Sequence, residues 1–244
     1  MHVAVISDLH LGAGRSDQFG HDEARFLRFL DHLETSFDRV VLLGDIYETL
    51  SVRPAAQVSE LRRAKEAHKA IVDRFERPLY RYLHGNHDLV AGHIDGRPDA
   101  LTLRVDGQRI AFLHGHQFDW IVKKARSISE WSAWLAAWLV RLGMTPVLKA
   151  TGAIERLIMG VDGGGPNASV DPTRLAKPDR FQRAAMSWAA ANEVDIVVTG
   201  HTHQGVVTPH GDRMFLNSGS CAEGRFSYLA MDTSTGNYSL QTAW

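Results

Sequence analysis

The chain has 244 residues, enough for one large domain with a well-buried core or a core plus a modest insertion. Lysine and arginine total 27 against 28 acidic residues, a net charge of −1, which argues against a polyanion-binding surface and so against a nucleic-acid partner. One cysteine, Cys221, excludes an intramolecular disulfide and fits a small buried side chain in a reducing, cytoplasmic setting.

The N-terminal run HVAVIS, 2–7, reads as a strand that turns polar too early for a signal peptide, and no apolar run is long enough to span a membrane. A helix from about His21 carries Phe26, Phe29, Leu30, Leu33 and Phe37 at helical spacing. The continuous run RVVLLG, 39–44, predicts a buried strand. A long helix is predicted over Ala55 to Glu76, with Val58, Leu61, Ile71, Val72 and Phe75 inward, followed by a strand in PLYRYLHG, 78–85. LTLRV and RIAFLHG flank Asp106-Gly107-Gln108 as a β-hairpin. Residues 118–177 read as a helical insertion ending in a glycine-rich loop. A further helix follows, with Pro178 suited to its first turn and Phe181, Ala185, Trp188 and Ala189 on its apolar face. VDIVVTG, GVVTP, RMFLNSG, FSYLAMD and YSLQTAW complete a strand-rich end. Strands that alternate with helices early and pair directly late predict an α/β sandwich of mixed sheets, in one domain over 1–244.

Five of these strands end in metal-ligand residue types: SDLH (Asp8, His10), GDIYE (Asp45, Glu48), GNHD (Asn86, His87, Asp88), HGH (His114, His116) and GHTH (His201, His203). Loops beyond the carboxyl ends of strands form the binding crevice of α/β folds, so the five can converge. Carboxylate, amide and imidazole donors without a thiolate suit Mn²⁺, Fe, Zn²⁺ or Ni²⁺. Each segment alone also fits a turn, a helix cap or a satisfied histidine; their joint occurrence in this order does not. His2, His32, His68, His93 and His210 carry no functional expectation.

In these motifs the chain resembles the calcineurin-like metallophosphoesterases, from Met1 to about Gly219 excluding the insertion. The resemblance implies a four-layer α/β/β/α sandwich holding two divalent ions, Mn²⁺ foremost. It assigns one ion to Asp8, His10 and His203, the other to Asn86, His114 and His201, with Asp45 as the bridge. It further implies hydrolysis of a phosphodiester or pyrophosphate by a metal-bridging hydroxide, with His87 stabilising the equatorial oxygen or protonating the leaving group and Asp88 holding its ring. His116 is expected to orient His114 or touch substrate. The motif G-D-I-Y-E lacks the arginine of the protein Ser/Thr phosphatases. Ser7–Leu11, Gly44–Glu48, the insertion and G-H-T-H are nearest in pattern to bacterial UDP-2,3-diacylglucosamine hydrolases, although those typically carry arginine where this chain has His87. By that likeness the insertion is a lid, with Trp134 and Trp138 lining an acyl pocket. The helix at 127–142, with three tryptophans and basic flanks, then touches lipid or the inner face of a membrane. The alternatives are that this face packs on the core or on a second subunit in a homodimer. A phosphomonoesterase acting on a soluble metabolite, or a non-catalytic scaffold on the same fold, are the other functional readings.

Overall fold

Two five-stranded sheets lie face to face with helices on both outer sides, in a computed structural model that describes residues 1–118 and 179–244. In the first sheet the order is β10-β9-β1-β2-β3, built from β1 (His2–Ile6), β2 (Arg39–Leu43), β3 (Tyr80–Leu83), β9 (Tyr228–Asp232) and β10 (Asn237–Gln241). The second runs β4-β5-β6-β8-β7, from β4 (Ala100–Val105), β5 (Gln108–Leu113), β6 (Ile196–Thr199), β7 (Val206–His210) and β8 (Arg213–Asn217). β1, β2 and β3 are parallel, as are β5, β6 and β8; the remaining pairs are antiparallel, so both sheets are mixed.

The alternation of side chains along each strand sorts the core into three layers. Val3, Val5, Val41 and Leu43 meet Ile110, Phe112, Ile196 and Val198 between the sheets. Ala4, Ile6, Val40 and Leu42 point the other way, onto α1 (Glu23–Ser36), α2 (Gln57–Ala67) and α3 (Lys69–Phe75). Ala111, Leu113, Val197 and Phe215 face α5 (Arg180–Ala191). This is the expected four-layer α/β/β/α sandwich.

The expected strands are all present, and Asp106-Gly107 closes the predicted hairpin with φ of 50° and 80°, so Gln108 already pairs with Val105. Three helical expectations need correction. The helix foreseen over 55–76 is a 3-10 turn at Pro54–Ala56, then α2 and α3, broken at His68, where φ is −115° and ψ 33°. Its ring bonds the Gly12 carbonyl at 3.1 Å instead of facing solvent, and Val58 is exposed rather than inward. A short helix, α4 (Leu89–Asp95), follows the GNHD motif where none was expected. α5 begins at Arg180 with Asp179 as its cap, its side chain accepting from Gln182 N at 2.7 Å. Pro178, Trp134, Trp138, the 127–142 helix and the 118–177 insertion, apart from Phe118, lie outside the described residues.

Candidate metal centre

The parallel strands of both sheets deliver their carboxyl ends to one place. β1 releases Ser7-Asp8, β2 Gly44-Asp45, β3 the turn before Asn86, β5 His114 and β6 Gly200-His201. The turn out of each strand must be immediate. Eight described non-glycine residues have positive φ, and five of them are Asp8, His10, Asp45, His201 and His203. Left-handed backbone at a non-glycine residue costs about 1–3 kcal/mol and persists only where the surroundings hold it, a pattern that belongs to functional sites. Gly44, at φ 83°, lets the chain pass the His114 ring: a Cβ there would lie 2.5 Å from His114 Nδ1.

Three clusters result among the described residues, one of which, His10 with Glu48 and His87, is joined by the Glu48 hydrogen bonds. Asp8, His10 and His203 offer ligand atoms within 4.8 Å of one another, and so do Asp45, His114 and His201. Asp8 Oδ1 lies 3.2 Å from His203 Nε2 and 4.0 Å from His114 Nε2, so these two clusters adjoin. Asp8, His10, Asp45 and His114 are buried, while His203 reaches the cleft with 39 % of its side chain exposed.

The tautomers are set from behind. His114 Nδ1 donates to the Leu43 carbonyl at 2.8 Å, and His10 Nδ1 donates to Glu48 Oε2 at 3.1 Å. Each leaves Nε2 facing the centre. Among the described residues His10 Nε2 and Asn86 Oδ1 are buried without a hydrogen-bond partner, while His114 Nε2 and Asp8 Oδ1 approach only other members of the centre, Asp45 Oδ2 at 3.0 Å and His203 Nε2 at 3.2 Å. Orphaned buried polar atoms are rare and demand an explanation. Imidazole, carboxylate and amide donors turned toward one point fit divalent ions, and their ring hydrogen bonds to carbonyl and carboxylate are those of metal-ligating histidines. Asn86 joins the set by this unpaired oxygen.

The charges agree. Burial would raise the Asp45 carboxyl, but the imidazoles of His114 and His87 hold it well below its usual range. Burial likewise opposes ionisation of Asp8, and His203 nevertheless brings it down to about 2. Desolvation would lower His114, whereas Asp45 and Asp8 lift it to about 9. Without ions, a proton on His114 thus offsets the lowered carboxylates, and a bound ion would displace it.

His87 sits at the mouth, half-buried, with its backbone N donating to Asp45 Oδ1 at 2.8 Å. The expectation that Asp88 holds its ring is corrected. Glu48 Oε2 accepts from His87 Nδ1 at 2.7 Å, and burial is outweighed by Glu48 and Asp45 in lifting His87 to about 10. Asp88 faces the backbone instead: it accepts from Gly85 N at 2.5 Å, Ile46 N at 2.7 Å and Tyr82 Oη at 2.6 Å, tying the β2 and β3 turns together. Glu48 is therefore the residue to which sequence reasoning gave no role, although the G-D-x-x-E spacing marked it. His116 packs beside His114, ring centroids 5.8 Å apart, and burial together with the His114 charge pushes it down to about 3. The Asn217-Ser218-Gly219 loop supports the floor: Ser218 Oγ and Ser7 Oγ lie 2.7 Å apart, and Ser7 Oγ bonds Asp8.

A family model, the calcineurin-like phosphoesterases, matches residues 1–205. A UDP-2,3-diacylglucosamine hydrolase of Blochmanniella pennsylvanica is 27 % identical over 216 residues, covering 84 % of this chain and 80 % of that one. One of Shewanella pealeana is 26 % identical over 236 residues, covering 88 % and 89 %. Among solved structures, vacuolar protein sorting 29 of Cryptosporidium parvum is similar over 99 % of this chain and 96 % of its own, with a TM-score of 0.47 and 14 % identity. With the family model spanning most of its length and the ligand types gathered at its strand ends, the chain belongs to the calcineurin-like phosphoesterases and is a metal-dependent phosphoester hydrolase.

Proposed function

We propose that the chain hydrolyses a phosphodiester or pyrophosphate bond in a lipid-linked nucleotide-type substrate, using two divalent ions. The observation that carries the two-ion reading is the pair of adjoining clusters in which His10 Nε2, His114 Nε2 and Asp8 Oδ1 are buried and turned to the centre. Asp8, His10 and His203 would hold one ion, Asn86, His114 and His201 the other, with Asp45 shared between them. Mn²⁺ is the first choice for this donor set. When bound, the ions would supply a nucleophile near neutral pH and neutralise charge on the phosphoryl oxygens.

The chain's own groups do the rest. Glu48 fixes His87 through Nδ1, so that Nε2 presents a proton toward the cleft, where it can meet a phosphoryl oxygen or the leaving oxygen. The same carboxylate holds His10, so one residue aligns a ligand and the proton donor together. His116, beside His114, would border the substrate.

The relatives support the substrate class, since both carry the name UDP-2,3-diacylglucosamine hydrolase and are matched over 80 % or more of their length. A lipid-linked substrate would bring the enzyme to a bilayer surface; the 127–142 segment expected to meet it, or a second copy, lies outside the described residues. Among the described residues no helix is long and apolar enough to cross a membrane. The test compares three substrates with the Mn²⁺-loaded enzyme: UDP-2,3-diacylglucosamine, bis(p-nitrophenyl) phosphate and p-nitrophenyl phosphate. The proposal expects kcat/KM to fall in that order. Preference for the monoester would return the assignment to a phosphomonoesterase.

A further inference from the structure

The end of the sandwich opposite the metal centre carries a feature that hydrolysis does not use. A cavity of about 350 Å³ opens there between the first residues of β1, β2 and β3 and the edge strand β4. Its floor is apolar: Met1, Val3 and Val41 from the first sheet, Leu101, Leu103 and Val105 from β4. The three β4 residues alternate along one face and are only partly covered, because nothing on the first sheet fills the space opposite them.

The reason is visible in the register. Val3 pairs with Arg39 and Val41 with Arg81, and paired residues share a face. That face is the one between the sheets, where Val5, Leu43 and Leu83 continue the same rows into the core. Two arginines thus stand on the inner face of the sandwich, at positions the alternation assigns to apolar side chains. An inward charge on an edge strand protects against edge-to-edge pairing, which accounts for Arg81 on β3. It does not account for Arg39, since β2 lies between β1 and β3.

Arg104, between Leu103 and Val105, turns to the other face of β4, so the head-group end of the cavity is formed by Arg39 and Arg81. Among the described residues neither guanidinium group has a carboxylate partner. Arg39 Nη1 donates to the Asp38 carbonyl at 2.8 Å, and Arg81 Nη1 to the carbonyls of Pro78 and Tyr80 at 2.8 and 2.9 Å. The nearby acids are engaged elsewhere: Asp38 accepts from His2 N at 2.7 Å and Asp106 from Thr233 Oγ1 at 2.6 Å.

We infer that this inter-sheet cavity is a binding site for a single-chain fatty carboxylate, its chain on the valine and leucine floor and its head on Arg39 and Arg81. The volume lies at the lower end of the ~300–1,000 Å³ of small-molecule sites and suits one chain. Guanidinium forks match a planar carboxylate in paired hydrogen bonds, which a neutral head cannot return. A nucleic acid or free phosphate would leave the apolar floor uncovered. The site stands apart from the metal ligands, at the other ends of the same strands.

Titration of the full chain with decanoate, below its micelle threshold and followed by amide NMR, tests this. Saturable shifts are expected on β4 and on the first residues of β1, β2 and β3. Arg39→Gln with Arg81→Gln should weaken binding about tenfold or more, and decanol should bind the native chain more weakly by a similar factor. Leu103→Trp should fill the cavity and abolish the shifts. Hydrolysis of an aryl phosphate should be unchanged in the arginine variant. Absence of saturation, shifts confined to other surfaces, equal affinity for decanol, or insensitivity to the arginine pair would each overturn the inference. Should Leu103→Trp fail to fold, the arginine pair and the decanol comparison decide alone.

Discussion

Glu48 is almost fully buried and holds two imidazoles at once, His10 at 3.1 Å and His87 at 2.7 Å. Burial opposes its ionisation, yet the His87 charge brings its carboxyl down to about 2. Glu48→Gln keeps the shape and removes the charge. It should cost about 10–100-fold in activity or metal affinity, the usual loss when a carboxylate behind a ligating histidine is changed. His87→Ala should lower kcat by about 10²–10⁴-fold while metal content is retained. Steady-state kinetics with metal analysis separate the two: loss of metal in His87→Ala would make His87 structural. The ligand residues were legible in the sequence because each is a chemically distinctive type directly after an apolar run. The partner of His87 was not. Asp88 adjoins it in sequence, but a left-handed turn at Asp45 and the break after β3 point Asp88 at backbone amides and bring Glu48 across from β2.

At the scale of elements, apolar periodicity located every strand and the burial stripe of α1, where Phe26, Phe29, Leu30 and Leu33 are all inaccessible. It failed at His68 because periodicity cannot show a side chain reaching another loop. There the ring bonds Gly12 O and lies 3.3 Å from Asp17 Oδ1, pinning the loop that follows His10. The hydrogen bond to Asp17 raises His68, while on Asp17 burial is outweighed by His68 and the carboxyl is lowered. The sign follows for each group. The contribution of His68 is complete below about 6.5 and is lost as pH rises through its raised folded value. That of Asp17 is present above about 3.9 and is lost as pH falls. The stabilisation by the pair should therefore peak roughly between pH 4.5 and 6.5. Urea unfolding of the native chain and of His68→Gln across pH should show their difference largest in that window and shrinking on either side. A difference independent of pH would mean the ring acts by packing on Phe19 alone.

For the whole molecule, the two sheets matter because each supplies half of the centre. Asp8, Asp45 and Asn86 come from the first, His114 and His201 from the second, and the inter-sheet core of valines, leucines and Phe112 fixes their spacing. The sandwich was legible from the order of strands and helices, but the pairing of β9 beside β1 was not, since it joins residues some 225 positions apart. Nor does the alternation that places Arg39 and Arg81 on an inner face emerge until register is known. Two ions in one centre assembled from both sheets are the basis of the proposed hydrolysis. The most direct test of that centre is the metal content of the chain after loading with Mn²⁺ and dialysis against metal-free buffer. About two ions per chain are predicted, with a clear fall in Asp45→Asn, whose carboxylate both ions would share. Less than one ion per chain in the native protein would contradict it.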